Sequence, residues 1–200
     1  MKKLMMLLIM ATVAMTASAQ KTLRDNGTFT LQPKVGIGFG SLSGDWTTAA
    51  GIDLDRKTRV GFLAGLEGEY YVNEWLGIAA GVNYAQQGWK FEGSGESATT
   101  KLDYLNIPVT ADFYVAKGLA LKTGLQFGFL MSGKLNDADV KKGYETFNFS
   151  IPIGISYEIS NIVFDLRYNV ALTTANKDSD SHNKWRSDLL QITVGYKIPL

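Results

Sequence analysis

Along most of the chain hydrophobic and polar positions alternate with a period of two. In 31–39 the apolar set is Leu31, Val35, Ile37 and Phe39, and the intervening positions are Gln32, Lys34, Gly36 and Gly38. In 60–72 the set Val60, Phe62, Ala64, Leu66, Tyr70 and Val72 is interleaved with Gly61, Gly65, Glu67 and Glu69. Such alternation sends one set to each face of a β-strand. The same pattern recurs in 76–84, 105–115, 119–131, 147–157, 162–170 and 190–198, which predicts eight strands.

The connections alternate too. Asn73-Glu74, Ala116-Lys117-Gly118 and Ser160-Asn161 are tight turns of turn-forming residues. The links over 41–57, 90–100, 133–145 and 174–186 are longer and polar. Short turns on one rim and longer loops on the other are the pattern of an outer-membrane barrel, whose short turns face the periplasm. The predicted fold is all-β: a closed, eight-stranded, antiparallel up-and-down transmembrane β-barrel.

Alternation alone does not say which face is outside. A soluble barrel of this size buries its apolar face, and a membrane barrel inverts it. Three features favour inversion. The polar face mixes glycine with charges of both signs: Lys34, Arg59, Lys122, Arg167 and Lys197 against Glu67, Glu69, Asp112, Glu158 and Asp165. Such a face suits a crowded lumen in which buried ions are paired. The apolar face carries so many large residues that, turned inward, they would overfill an eight-stranded interior. Finally, aromatics gather in two bands: Tyr70, Phe113, Tyr157, Phe164 and Tyr196 near the short turns, and Trp89, Phe147 and Trp185 near the loops. Membrane barrels carry such girdles at both interfaces. Because an open sheet edge is excluded in hydrocarbon, 190–198 should pair with 31–39.

Composition agrees. Twenty-one glycines and 12% aromatics in 200 residues suit strands better than helices. The net charge of +1 gives no basic face for nucleic acid, and the absence of cysteine removes disulfides and thiolate chemistry. No stretch after the N-terminus approaches the roughly eighteen consecutive apolar residues of a membrane helix. Lys2-Lys3, the apolar run 4–13 and Ala17-Ser18-Ala19 read as a signal peptide. The expected organisation is a signal peptide over 1–19, a short periplasmic lead-in over 20–29 and a barrel domain over 30–200.

Tyr104-Leu105-Asn106-Ile107-Pro108-Val109 resembles a strand-four motif of the PorT-like outer-membrane β-barrel proteins of Bacteroidota. Phe164-Asp165-Leu166-Arg167-Tyr168 is similar to that family's seventh strand, and 190–197 to its last. The resemblance covers the chain beyond the signal peptide and implies an outer-membrane location, without implying one activity. Many such proteins end on an aromatic residue, whereas this sequence ends Ile198-Pro199-Leu200.

Candidate chemistry is sparse. His182, the one histidine, lies in Asp178-Ser179-Asp180-Ser181-His182-Asn183. A base beside Ser179 or Ser181 would suit a lipid-modifying enzyme, but a lone histidine in an acidic loop reads better as solvated. Asp178 and Asp180 lack the glycine and glutamate spacing of an EF-hand calcium loop. The ten charges of the polar face read as a lumenal ion-pair plug, since eight strands leave no room for an aqueous channel. Trp46, Phe91, Tyr144 and Trp185 are loop aromatics that either bind a partner or finish the outer girdle. No cofactor, metal site or catalytic residue is expected. The expected partners are outer-membrane lipid and lipopolysaccharide, with a cell-envelope or secretion protein as a further candidate, and the expected state is a monomer. The function read from the sequence is a non-enzymatic barrel of structural or binding character, the alternatives being an accessory component of protein secretion and a lipid-modifying enzyme.

Overall fold

The computed structural model describes residues 26–43, 55–93, 96–136, 138–175 and 185–200. These form eight long strands: β1 (Phe29–Ser43), β2 (Asp55–Asn73), β3 (Leu76–Gly93), β4 (Glu96–Ala116), β5 (Leu119–Leu135), β6 (Phe147–Ile159), β7 (Ile162–Ala171) and β8 (Arg186–Tyr196). Each strand pairs antiparallel with the next. β8 returns to β1, with Phe39 opposite Leu190 and Val35 opposite Val194, and Ile198-Pro199 extends the seam opposite Leu31 and Thr30. The predicted closure is thus present, and every strand has two neighbours.

The three short turns fall where their sequences place them. The Asn73 side-chain oxygen accepts from the backbone N–H groups of Trp75 and Leu76, at 3.0 and 2.9 Å, and reverses the chain between β2 and β3. Gly118 (φ +83°) and Ser160 (φ +57°) supply the left-handed residue of the other two. At the opposite rim the strands run further than the alternation predicts. β3 continues to Gly93 and β4 starts at Glu96, so the link expected over 90–100 is mostly paired strand. Beyond the membrane both faces of a strand meet water, and the period of two that marks a strand disappears. The 133–145 link holds a two-residue strand, Ala138–Asp139, and one 3-10 turn, Lys141–Gly143.

The two faces divide as expected. Val35, Phe62, Leu66, Val82, Leu125, Ile153, Phe164 and Val194 are exposed on the outside. Lys34, Glu67, Glu69, Asp112, Lys122, Asp165, Arg167 and Lys197 are each at most 3% exposed inside. An apolar exterior around a charged interior is stable only where lipid replaces water outside. Glycine lets the walls approach: a Cβ at Gly36 would collide with the Ile192 carbonyl oxygen. Tyr70, Tyr157 and Phe164 are exposed near the short turns, and Trp75 joins them, stacked on Phe113 at 6.4 Å.

The outer girdle needs correction. Trp89 shares the parity of Asn83 and Gln87 and is 1% exposed, inside the barrel and not on its rim. Tyr144 and Trp185 are half-buried, not exposed. Phe147 does lie outside, against Phe127 and Phe129.

Candidate functional site

The lumen is layered from the short-turn rim to the loop rim. At the floor, Lys197 reaches Glu69 at 2.7 Å and Glu158 at 3.2 Å. Its ammonium also donates to the hydroxyls of Tyr71 (2.7 Å) and Tyr114 (2.8 Å). Tyr114 in turn donates to Glu69 at 2.6 Å. These residues come from β2, β4, β6 and the segment after β8, so the floor ties distant walls together. Tyr71 and Tyr114 escaped the sequence reading. The available signal was parity, since both share the face of Glu69 and Asp112.

One step further in lies the main ion network. Lys34 on β1 meets Glu67 on β2 at 2.6 Å. Lys122 on β5 sits among three carboxylates: Asp112 (2.9 Å), Glu67 (3.3 Å) and Asp165 (3.3 Å). Arg167 on β7 contacts Asp165 at 2.9 Å and Glu67 at 3.4 Å. Thr110 donates to the second oxygen of Asp112 at 2.8 Å. Three cations face three carboxylates, which balances a buried set that would otherwise be prohibitively costly to desolvate. Sequence reasoning named all six residues, but the pairing required the register.

Above the network come amides. Asn83, Asn106, Gln126, Gln191, Ser150 and Asn169 are all buried, with Asn83 opposite Asn106 and Gln126 opposite Ser150. Amide atoms of Asn83, Asn169 and Gln191 have no partner among the described residues, and bridging water is the physical means of satisfying them. The outer end of the lumen is apolar. Trp89, Leu102, Tyr104 and Leu130 form one cluster, and Tyr144, from the segment after β5, packs on it with its ring 5.9 Å from that of Trp89. Leu63, Ala85 and Leu189 form a second. Arg59 stands apart from the network at the loop end, where it donates to the Gln87 carbonyl oxygen.

Nine of the ten predicted lumenal charges therefore meet in the two lower layers, and Arg59 does not. Of the four loop aromatics, Tyr144 closes the apolar cluster and Trp185 is half-buried, its carbonyl accepting from the Ala175 N–H at 2.6 Å. Phe91 lies on β3 opposite Arg56. Trp46 lies outside the described residues, as do the signal-peptide residues 1–19, His182, Asp178 and Asp180. Among the described residues no group of three or more His, Asp or Glu side chains is arranged to hold a metal ion.

The comparisons with known proteins agree with this architecture. The attachment invasion locus protein Ail of Yersinia pestis superposes with a TM-score of 0.51 at 16% identity, over 86% of this chain and 99% of Ail. Neisserial surface protein A gives a TM-score of 0.49 at 19% identity, over 85% of this chain and 97% of its own. At this identity the Ail likeness shows a shared fold. No curated protein matches the sequence. The family model described as "Outer membrane protein beta-barrel domain" matches residues 18–177, and this outer-membrane β-barrel chain belongs to that family.

Proposed function

We propose that this protein is a non-conducting outer-membrane barrel of structural or binding character, working through its outer rim. It is exported by the segment 1–19 and inserted as a monomer with its loops outside. The carrying observation is the lumenal network: Lys34, Glu67, Lys122, Asp112, Asp165 and Arg167 bridge β1, β2, β4, β5 and β7 and leave their side chains almost wholly buried. Ion flow would have to break these pairs without replacing their partners, which costs several kcal/mol. The apolar cluster beneath Tyr144 is a second barrier at the outer end. No catalytic step belongs to this reading. Purified protein in planar bilayers should give no stable conductance steps, and regular open-channel steps would overturn it.

A second reading, an accessory role in protein secretion, draws on the resemblance of 104–109 to the PorT-like strand. In the structure this stretch is the middle of β4, with Tyr104 and Asn106 inward. Co-purification of periplasmic secretion proteins from native membranes would favour it, and their absence would leave the first reading alone.

A further inference from the structure

The outer face of the β2–β5 wall carries a feature that the plugged lumen does not explain. Just past the apolar band, Lys101 on β4 lies directly opposite Lys134 on β5, whose other neighbour is Asp139. Lys90 and Lys101 line a groove of about 560 Å³ together with Arg59, Thr58, Val60 and Asn136. Arg59 enters it at an irregularity in the β2–β3 register, where Gly88 adopts φ +128°.

The surroundings fix the height of the groove. Toward the membrane, Tyr84 shares hydrogen bonds with Gln86 and Asp103, and below them Val82 and Val109 face lipid. The cations thus lie just beyond the apolar band, at the level where outer-leaflet headgroups begin.

We propose that this groove binds the phosphate-bearing headgroup of an outer-leaflet glycolipid. The phosphate would lie among Arg59, Lys90 and Lys101 with Lys134 beside them, while the acyl chains run down the apolar wall that starts at Val60 and Val82. Charge complementarity selects an anion, and continuity with the lipid-facing band selects one that carries acyl chains over a soluble one. The proposal rests on the loops-outside reading, but its test does not depend on the direction of insertion. A negative result therefore leaves the plugged barrel standing.

The test uses the folded full chain in phosphatidylcholine nanodiscs doped with diphosphorylated or dephosphorylated lipid A. Lipid retained after mild detergent extraction is read by native mass spectrometry, with gel mobility confirming folding. The chain should retain diphosphorylated lipid A and not the dephosphorylated form. The combined Lys90→Gln, Lys101→Gln and Lys134→Gln variant should lose retention by roughly tenfold or more. A control variant carrying Lys117→Gln, Lys141→Gln and Lys142→Gln should behave as the unaltered chain. Equal retention by the groove variant, or of dephosphorylated lipid A, would overturn the proposal. So would variant-sensitive binding of inorganic phosphate without lipid A retention, which would assign the groove to a soluble anion.

Discussion

Glu67 and Arg167 stand 100 positions apart in the chain, yet their carboxylate and guanidinium groups meet at 3.4 Å across the lumen. Glu67 also accepts from Lys34 and Lys122, so one carboxylate serves three cations from three other strands. Replacing it should leave those cations buried with too little negative charge. Glu67→Gln is expected to destabilise the barrel by about 3 kcal/mol or more. The effect should be less than additive with Lys34→Met, since the two share one interaction. Denaturant titration in detergent micelles, followed by tryptophan fluorescence, measures both.

A gentler loss is expected at the floor. Tyr114→Phe keeps the ring and its tilted packing on Tyr71 at 5.6 Å, but removes the hydroxyl between Glu69 and Lys197. A destabilisation of about 1–3 kcal/mol follows from the lost charge-assisted hydrogen bonds. The folded band on an unheated gel should persist and its melting temperature should fall.

On the outside the test is the reverse, a charge placed where none belongs. Leu66 is 45% exposed in the middle of the apolar band of β2. Leu66→Arg is expected to cost about 2–4 kcal/mol near the bilayer midplane. The same substitution at Leu200, also exposed but at the end of the seam, should cost much less. Equal costs, measured by unfolding in lipid vesicles, would contradict the placement of the band.

Space inside is equally restrictive. A Cβ at Gly65 would collide with the Asn83 side chain and the Val82 carbonyl oxygen. Gly65→Ser should therefore destabilise by about 1–3 kcal/mol despite adding only a small polar group to a polar lumen. A thermal melt of the folded variant provides the comparison.

The fold is legible in the sequence where lipid and lumen impose opposite demands on successive residues. Val60 to Val72 shows this: the alternation alone places Leu66 outside and Glu67 inside, as found. That legibility ends where the contrast vanishes. Trp89, aromatic and near a loop, suggests a girdle residue, although its parity with Asn83 and Gln87 points inward. Leu102 and Leu130 form an apolar outer plug because the lumen there needs closing more than it needs charge. The ion pairs were legible only as a set. Which carboxylate meets Lys122 depends on how far each strand is staggered against its neighbour, and stagger leaves no local trace in composition.

The seam between β1 and β8 joins the first strand of the barrel to the last, so no subset of hairpins can complete the sheet. Until the final strand arrives, two ladders of backbone N–H and C=O groups stand bare, each able to recruit a foreign strand. Assembly is therefore committed late and depends on contacts of very long sequence separation, which makes it slow unless a catalyst shields the open edges. The vulnerable moment of this protein is its insertion, and a substitution at the Phe39–Leu190 pairing should do more damage there than to the finished barrel.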